Sequence, residues 1–287
     1  MDHPWALSFS AKNGDDRPVT LSIIFLLFVL GLLFGSFGGM SVYRIPRELP
    51  LGMVKKTRSF CPNCKKKISF YDNIPVFSYL FLLGKCRHCK KPISVKYPLV
   101  ELCVAASFAF VCWAYQWSPE LAWPEQLMFF TDMYFFWSLV VLTFIDMEFR
   151  IIPDRFSIGN WVLAVLVSVI LFIARDVPLY DSLLGGAAGF GIFFLIGFFY
   201  EKVKGIEGLG FGDVKMMGWL GTWLGLAGVP ILVLVASITG LAVGVYVMIK
   251  EKGNLKTAIP FGPFLTLGAI VVWILQRFRI FPFDMIN

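Results

Sequence analysis

Charge is scarce in this chain: 16% of its 287 residues are Asp, Glu, Lys or Arg, against about 25% in soluble globular proteins. With 57% hydrophobic residues and a mean hydropathy of +0.73, that scarcity excludes a soluble domain. The 17% of aromatic residues excludes disorder. Histidine is almost missing. His3 and His88 are the two present, one near the amino terminus and one between two cysteines, so Ser-His-Asp chemistry has no suitable base. No Gly-Lys-Ser/Thr loop and no Gly-x-Gly-x-x-Gly run is present, which argues against a phosphate cradle. Internal repeats and low-complexity segments are absent as well.

What the chain has in abundance is long apolar runs. A membrane-crossing helix needs about 20 apolar residues, and eight candidates read at roughly 20–43, 98–116, 126–146, 156–174, 181–200, 213–228, 230–249 and 262–276. The sixth is short and contains glycine. The runs are continuous rather than alternating, which disfavours an outer-membrane barrel. The first has no basic start and no small-residue cleavage pattern, so it reads as a span rather than a removed signal peptide. The expected fold is an all-α polytopic membrane protein of about eight helices with a small cysteine-bearing loop domain.

The positive charge is concentrated in one place. Residues 44–97 carry 13 Lys/Arg against Glu48 and Asp72, a balance of +11, whereas the whole chain is +7. Arg150, Arg155, Lys202, Lys204, Lys215, Lys250, Lys252 and Lys256 fall on the same side of the expected membrane. That side then holds 21 of the 26 basic residues, leaving Lys12, Arg17, Arg175, Arg277 and Arg279 on the other. By the positive-inside rule the rich side is cytoplasmic and both termini are external. The organisation expected is an external segment 1–19, a first helix 20–43, a cytoplasmic basic four-cysteine domain 44–97 and a seven-helix membrane domain 98–287. The basic loop reads as a topology signal attracted to anionic lipid; no nucleic-acid-binding motif accompanies it.

Four of the six cysteines lie in that loop, as Cys61-Pro-Asn-Cys64 and Cys86-Arg-His-Cys89. Two such knuckles can close a tetrahedral structural Zn²⁺ site with no open position for catalysis. The neighbouring Lys and Arg residues favour the thiolates. The competing reading is a pair of disulfide-exchange motifs in a membrane oxidoreductase, which calls for an oxidising compartment rather than the cytoplasm. Cys103 and Cys112, in the second span, read as packing residues.

Carboxylates at membrane depth are costly and are candidates for function. Asp146 closes the third span and Asp213 opens the sixth, which places both at the cytoplasmic edge. Asp132 lies 14 residues before Asp146, roughly 21 Å along a helix, and reads as a helix–helix contact. Glu101, at the start of the second span, reads as an interfacial charge. Gly208, Gly210 and Gly212 precede Asp213 and leave room for another backbone. Paired aspartates sharing one proton are the apparatus of aspartyl proteolysis. A proton-coupled transporter using Asp132, Asp146 and Asp213 is the alternative from another class.

These motifs together resemble the type IV prepilin peptidases. The Gly-x-Gly-Asp signature is Gly210-Phe211-Gly212-Asp213, and the first family aspartate falls on Asp146, with Pro153-Asp154 following. Gly35-Ser36-Phe37, Arg44-Ile45-Pro46, the four cysteines, Asn73-Ile74-Pro75, Gly84-Lys85-Cys86, Tyr97-Pro98-Leu99-Val100-Glu101 and Ile259-Pro260-Phe261-Gly262-Pro263 match as well. Two departures are Gly38-Gly39 after Phe37, and Glu148 where members often have Asp. The resemblance implies a bifunctional bacterial inner-membrane enzyme of type IV pilus or type II secretion systems. Asp146 and Asp213 would cleave the leader of a prepilin or pseudopilin, and S-adenosylmethionine would then methylate the new amino terminus. Gly84, Lys85 and Glu101 are the residues suggested for the methyl donor.

Overall fold

The computed structural model describes residues 21–51, 59–205, 208–250 and 259–280. The expected external segment 1–19 and the basic residues Lys12, Arg17, Lys55, Lys56, Arg58, Lys252 and Lys256 lie outside these. Among the described residues the chain divides into two compact units, one ending at Ile145 and the other starting at Asp146.

The first unit begins with α1 (Leu21–Arg44), followed by a cysteine-bearing segment that includes the short α2 (Phe77–Phe81). It continues with α3 (Lys96–Tyr115) and most of α4 (Trp123–Phe149). Gly31 and Gly35 let α1 lie directly on α3: a side chain at either would collide with the backbone of Ala105 or Glu101. The Trp137 indole N–H of α4 donates to the Phe34 carbonyl, 3.0 Å away. Buried Asp132 accepts the Tyr115 hydroxyl at 2.7 Å, the helix–helix contact expected for it.

The second unit holds the last turn of α4, then α5 (Asp154–Arg175), α6 (Leu179–Lys204), α7 (Phe211–Leu224), α8 (Gly228–Lys250) and α9 (Gly262–Arg277). Helix α7 is its core: Val214 and every residue from Met216 to Leu224 are buried. Gly185 of α6 and Gly221 of α7 meet backbone to backbone, leaving no space for a side chain on either.

Eight helices thus stand at the eight expected positions, and no β-strand is present among the described residues. Six of them are long and apolar enough to cross a membrane. The remaining two, α7 and α9, have 14 and 16 residues, or about 21 and 24 Å, against a hydrocarbon core of about 30 Å. Helix α7 stops where Gly225 turns to φ +73°, short of the expected end at 228.

Candidate functional site

Two groups of chemically competent side chains emerge, one in each unit. In the second unit Asp146 sits on the last turn of α4. Arg150 leaves the helix at φ +55°, and its N–H returns to the Asp146 carbonyl at 2.8 Å. Asp213 sits in the first turn of α7, behind the extended cap residue Gly210. The sequence separates these aspartates by 67 positions. The fold brings them within electrostatic reach of one another, Asp146 buried and Asp213 half-buried.

The Asp146 carboxylate is held by a group the sequence did not single out for this task. The backbone N–H of Gly262, the first residue of α9, donates to its Oδ2 at 2.8 Å. A Cβ at position 262 would lie 2.7 Å from that oxygen, so the approach requires glycine. The N-terminal N–H groups of a helix have no intrahelical acceptor, and the helix dipole favours a negative group there. The motif around Gly262 was visible in the sequence, but its partner lies 116 positions away.

The glycines before Asp213 divide differently from the sequence expectation. Gly208 is filled by the Tyr200 ring, and Gly212 faces Ile152, whose Cβ would lie 2.9 Å from an added Cβ. Gly210 is the open one: the nearest atom to an added Cβ is the Asp213 Oδ2, at 3.4 Å. The access left by missing side chains therefore lies beside the carboxylate at Gly210. Asp154 begins α5 and is ion-paired with Lys215 of α7, which ties the start of α7 to α5. Two carboxylates, once brought close enough, can share one proton, so that one accepts a proton while the other donates a hydrogen bond.

In the first unit the four loop cysteines converge. The sulfur atoms of Cys61, Cys64, Cys86 and Cys89 all lie within 4.8 Å of one another, with Cys61 and Cys89 at 3.9 Å. Tetrahedral Zn–S bonds of about 2.3 Å would place sulfurs roughly 3.8 Å apart, so the thiols fit one ion; a disulfide would need about 2.05 Å. The two knuckles are built alike. Cys61 N–H donates to the Lys66 carbonyl and Cys86 N–H to the Lys91 carbonyl, both at 2.9 Å. Lys65 and Lys90 occupy the same left-handed position, at φ +58° and +57°. The Cys86 thiol is drawn down to about 7, chiefly by the Cys89 backbone N–H donating to its sulfur, whereas the Cys89 thiol is pushed up to about 11, the Lys91 N–H being outweighed by burial and the neighbouring cysteine sulfurs. The Arg87 guanidinium grips Asp72 through bonds of 2.6 to 3.0 Å and holds its carboxyl below the usual range. This fastens the second knuckle to the turn at 70–73.

Glu101 is buried, and its carboxylate accepts the Val76 N–H at 2.7 Å. It is bonded to loop backbone, where the sequence suggested an interfacial charge beside the basic loop. Gly84 takes φ +66° beneath the Tyr79 hydroxyl, and Lys85 is exposed. Neither belongs to the lining of the cavity that Glu101 faces.

The sequence matches two family models. Residues 29–115 match the bacterial peptidase A24 N-terminal domain, and residues 133–245 match the type IV leader peptidase family. Curated relatives match most of its length. A prepilin leader peptidase/N-methyltransferase of Pseudomonas putida is 36% identical over 88% of this chain and 89% of its own length. Proteins of the same name from Neisseria gonorrhoeae and Pectobacterium carotovorum subsp. carotovorum are each 34% identical. The first covers 86% of this chain and 89% of the relative; the second covers 88% and 94%. No solved structure matches. The transporter and oxidoreductase alternatives find no support in these matches. These matches establish that the chain belongs to the type IV leader peptidase family, with a bacterial peptidase A24 N-terminal domain preceding its peptidase region.

Proposed function

We propose that this protein is an integral bacterial inner-membrane enzyme that cleaves the leader from prepilins or pseudopilins and then N-methylates the exposed residue. What supports the peptidase half is that Asp146, on the last turn of α4, and Asp213, in the first turn of α7 beside the open Gly210, fall within one compact unit. In this reading the ionised member of the pair takes a proton from water as the water attacks the scissile carbonyl. The protonated member hydrogen-bonds to the carbonyl oxygen, and no metal or covalent intermediate is needed. The open flank at Gly210 admits the substrate backbone beside Asp213. The basic asymmetry supports a cytoplasmic position for residues 44–97 and an external one for both termini. Neither activity calls for nucleic acid.

The two halves are tested together. The full protein in detergent is incubated with a prepilin and labelled S-adenosylmethionine, and the size and label of the product are followed. Loss of the leader with label on the mature chain is expected; an intact prepilin overturns the reading. A reporter fused after Lys66 is expected to behave as cytoplasmic, and one fused at Asn287 as external. The opposite pattern overturns the orientation.

The four thiolates would hold one structural Zn²⁺ that fixes the loop, since four protein ligands leave no coordination position for a substrate. Elemental analysis is expected to return about one zinc per chain. Changing Cys61 and Cys64 to serine is expected to remove it, lowering methylation far more than cleavage because the aspartates lie elsewhere. A metal-free protein with full methyl-transfer activity overturns this assignment.

A further inference from the structure

Between Lys67 and Lys85 the cysteine-bearing segment carries one charged residue, Asp72, and the Arg87 guanidinium holds it. The same stretch leaves large apolar side chains outside: Phe70 is 85% exposed, Phe81 86% and Leu83 83%. Phe77, Leu80 and Phe81, also exposed, stand at i, i+3 and i+4 and share one face of the short α2. Tyr79 and Leu82 of the same turn line a cavity instead. The exposure is built in rather than the fraying of an end. Leu83 and Gly84 turn to φ +49° and +66°, and the Gly84 N–H closes the helix on the Tyr79 carbonyl at 2.8 Å.

Three observations say what covers this face. The first is depth. The Val76 N–H, just before α2, donates to the Glu101 carboxylate at 2.7 Å, and the Ser36 side chain bonds to the same carboxylate. Glu101 lies five residues into α3 and Ser36 eight residues before the end of α1, about 7 and 12 Å along those helices. Both helices are long and apolar enough to cross a membrane, so the turn at 74–76 reaches back to the level of their embedded turns. The second is charge: Lys65, Lys66 and Lys67 precede the apolar stretch, and Lys85, Lys90 and Lys91 follow it. The third is rigidity. Val76 stands at φ +61°, ψ −52°, a region that β-branched residues almost never adopt, and its bond to Glu101 holds it there. Arg87 lies over the Tyr71 ring at 5.4 Å while gripping Asp72, which fixes the turn that presents Phe70.

We propose that residues 70–83 form an interfacial wedge. Phe70, Phe77, Leu80, Phe81 and Leu83 enter the acyl boundary of the leaflet beside the cysteine loop, and the flanking lysines meet lipid phosphates. This goes beyond the attraction of a basic loop to anionic lipid, and it does not depend on the prepilin reading. A loop held by charge alone leaves the surface when salt screens it, whereas an inserted apolar face stays. Apolar faces of interfacial helices sink about 5–10 Å into the headgroup and acyl boundary, which agrees with the depth at which Glu101 and Ser36 hold the turn. Facing water, the same side chains would make an apolar patch of the kind that marks an interaction site. The bilayer is the partner already at hand, because α1 and α3 tether the segment to it at both ends.

The test uses the full protein in nanodiscs of phosphatidylethanolamine and phosphatidylglycerol. The photoreactive p-benzoylphenylalanine replaces Phe70, Phe81 or His88 in separate samples, which are irradiated and analysed by mass spectrometry. Phe70 and Phe81 are exposed enough for the larger ring to disturb no packing. His88, exposed between the cysteines of the second knuckle, is the reference outside the wedge. Phospholipid adducts are expected at positions 70 and 81, at least about tenfold above position 88. They are expected to persist at about 1 M salt, where screening acts within about 3 Å. Adducts to a second copy of the chain or to another protein in place of lipid overturn the wedge. So do lipid adducts that vanish in high salt, which would leave charge attraction alone, and equal labelling at position 88.

Discussion

Asp146→Asn and Asp213→Asn are each expected to lower leader cleavage by roughly 10⁴-fold or more, while the protein remains folded and membrane-inserted. Asparagine matches aspartate in shape and can still accept the Gly262 N–H at position 146, but it cannot take a proton from water. Because the pair works as a unit, the double substitution is expected to be scarcely worse than either single one. Cleavage should follow a bell-shaped pH profile. At low pH both carboxyls are protonated and the base is lost; at high pH the shared proton leaves and the acid is lost. The two apparent constants belong to the pair. Asp132→Asn and Asp154→Asn are expected to retain measurable cleavage, since Asp132 is committed to Tyr115 and Asp154 to Lys215. Near wild-type cleavage by either dyad variant refutes the aspartyl mechanism. So does immediate loss of cleavage when a chelator removes metal from folded protein.

Gly262→Ala is expected to have the next largest effect. The added methyl would sit 2.7 Å from the Asp146 Oδ2, too close for any real contact, and Asp146 is buried at 5% exposure. Either the carboxylate turns away or the start of α9 moves, and in both cases the 2.8 Å hydrogen bond is lost. A displacement of about 1 Å in a catalytic group can cost on the order of a hundredfold in rate. The loss should fall on kcat with little change in KM, because Gly262 holds a reacting group rather than the substrate. Methylation of a pre-cleaved substrate should be unaffected. Wild-type kcat in Gly262→Ala refutes this role.

Much of this architecture is written locally. Each apolar run is a property of about 20 neighbouring residues, so the positions of the eight helices could be read directly. The cysteine knuckles are also local, since the spacing of Cys61 to Cys64 and of Cys86 to Cys89 sets each turn. The sequence therefore determined by itself the all-helical class, the four-thiol cluster as a candidate metal site and the two aspartates as candidates. Tertiary structure decided the rest. That α7 stops at Gly225, that Gly208 and Gly212 are filled by Tyr200 and Ile152 while Gly210 stays open, and that Gly262 reaches Asp146 across 116 positions all depend on which helices pack together. The same holds for Glu101, which read as an interfacial charge beside the basic loop and is a buried carboxylate bonded to the Val76 N–H at the wall of a cavity. Hydrophobic periodicity records which residues leave water but not which partner they meet, because apolar burial is non-directional. Hydrogen bonds and steric limits between distant segments take effect once packing has brought the backbones within a few ångströms.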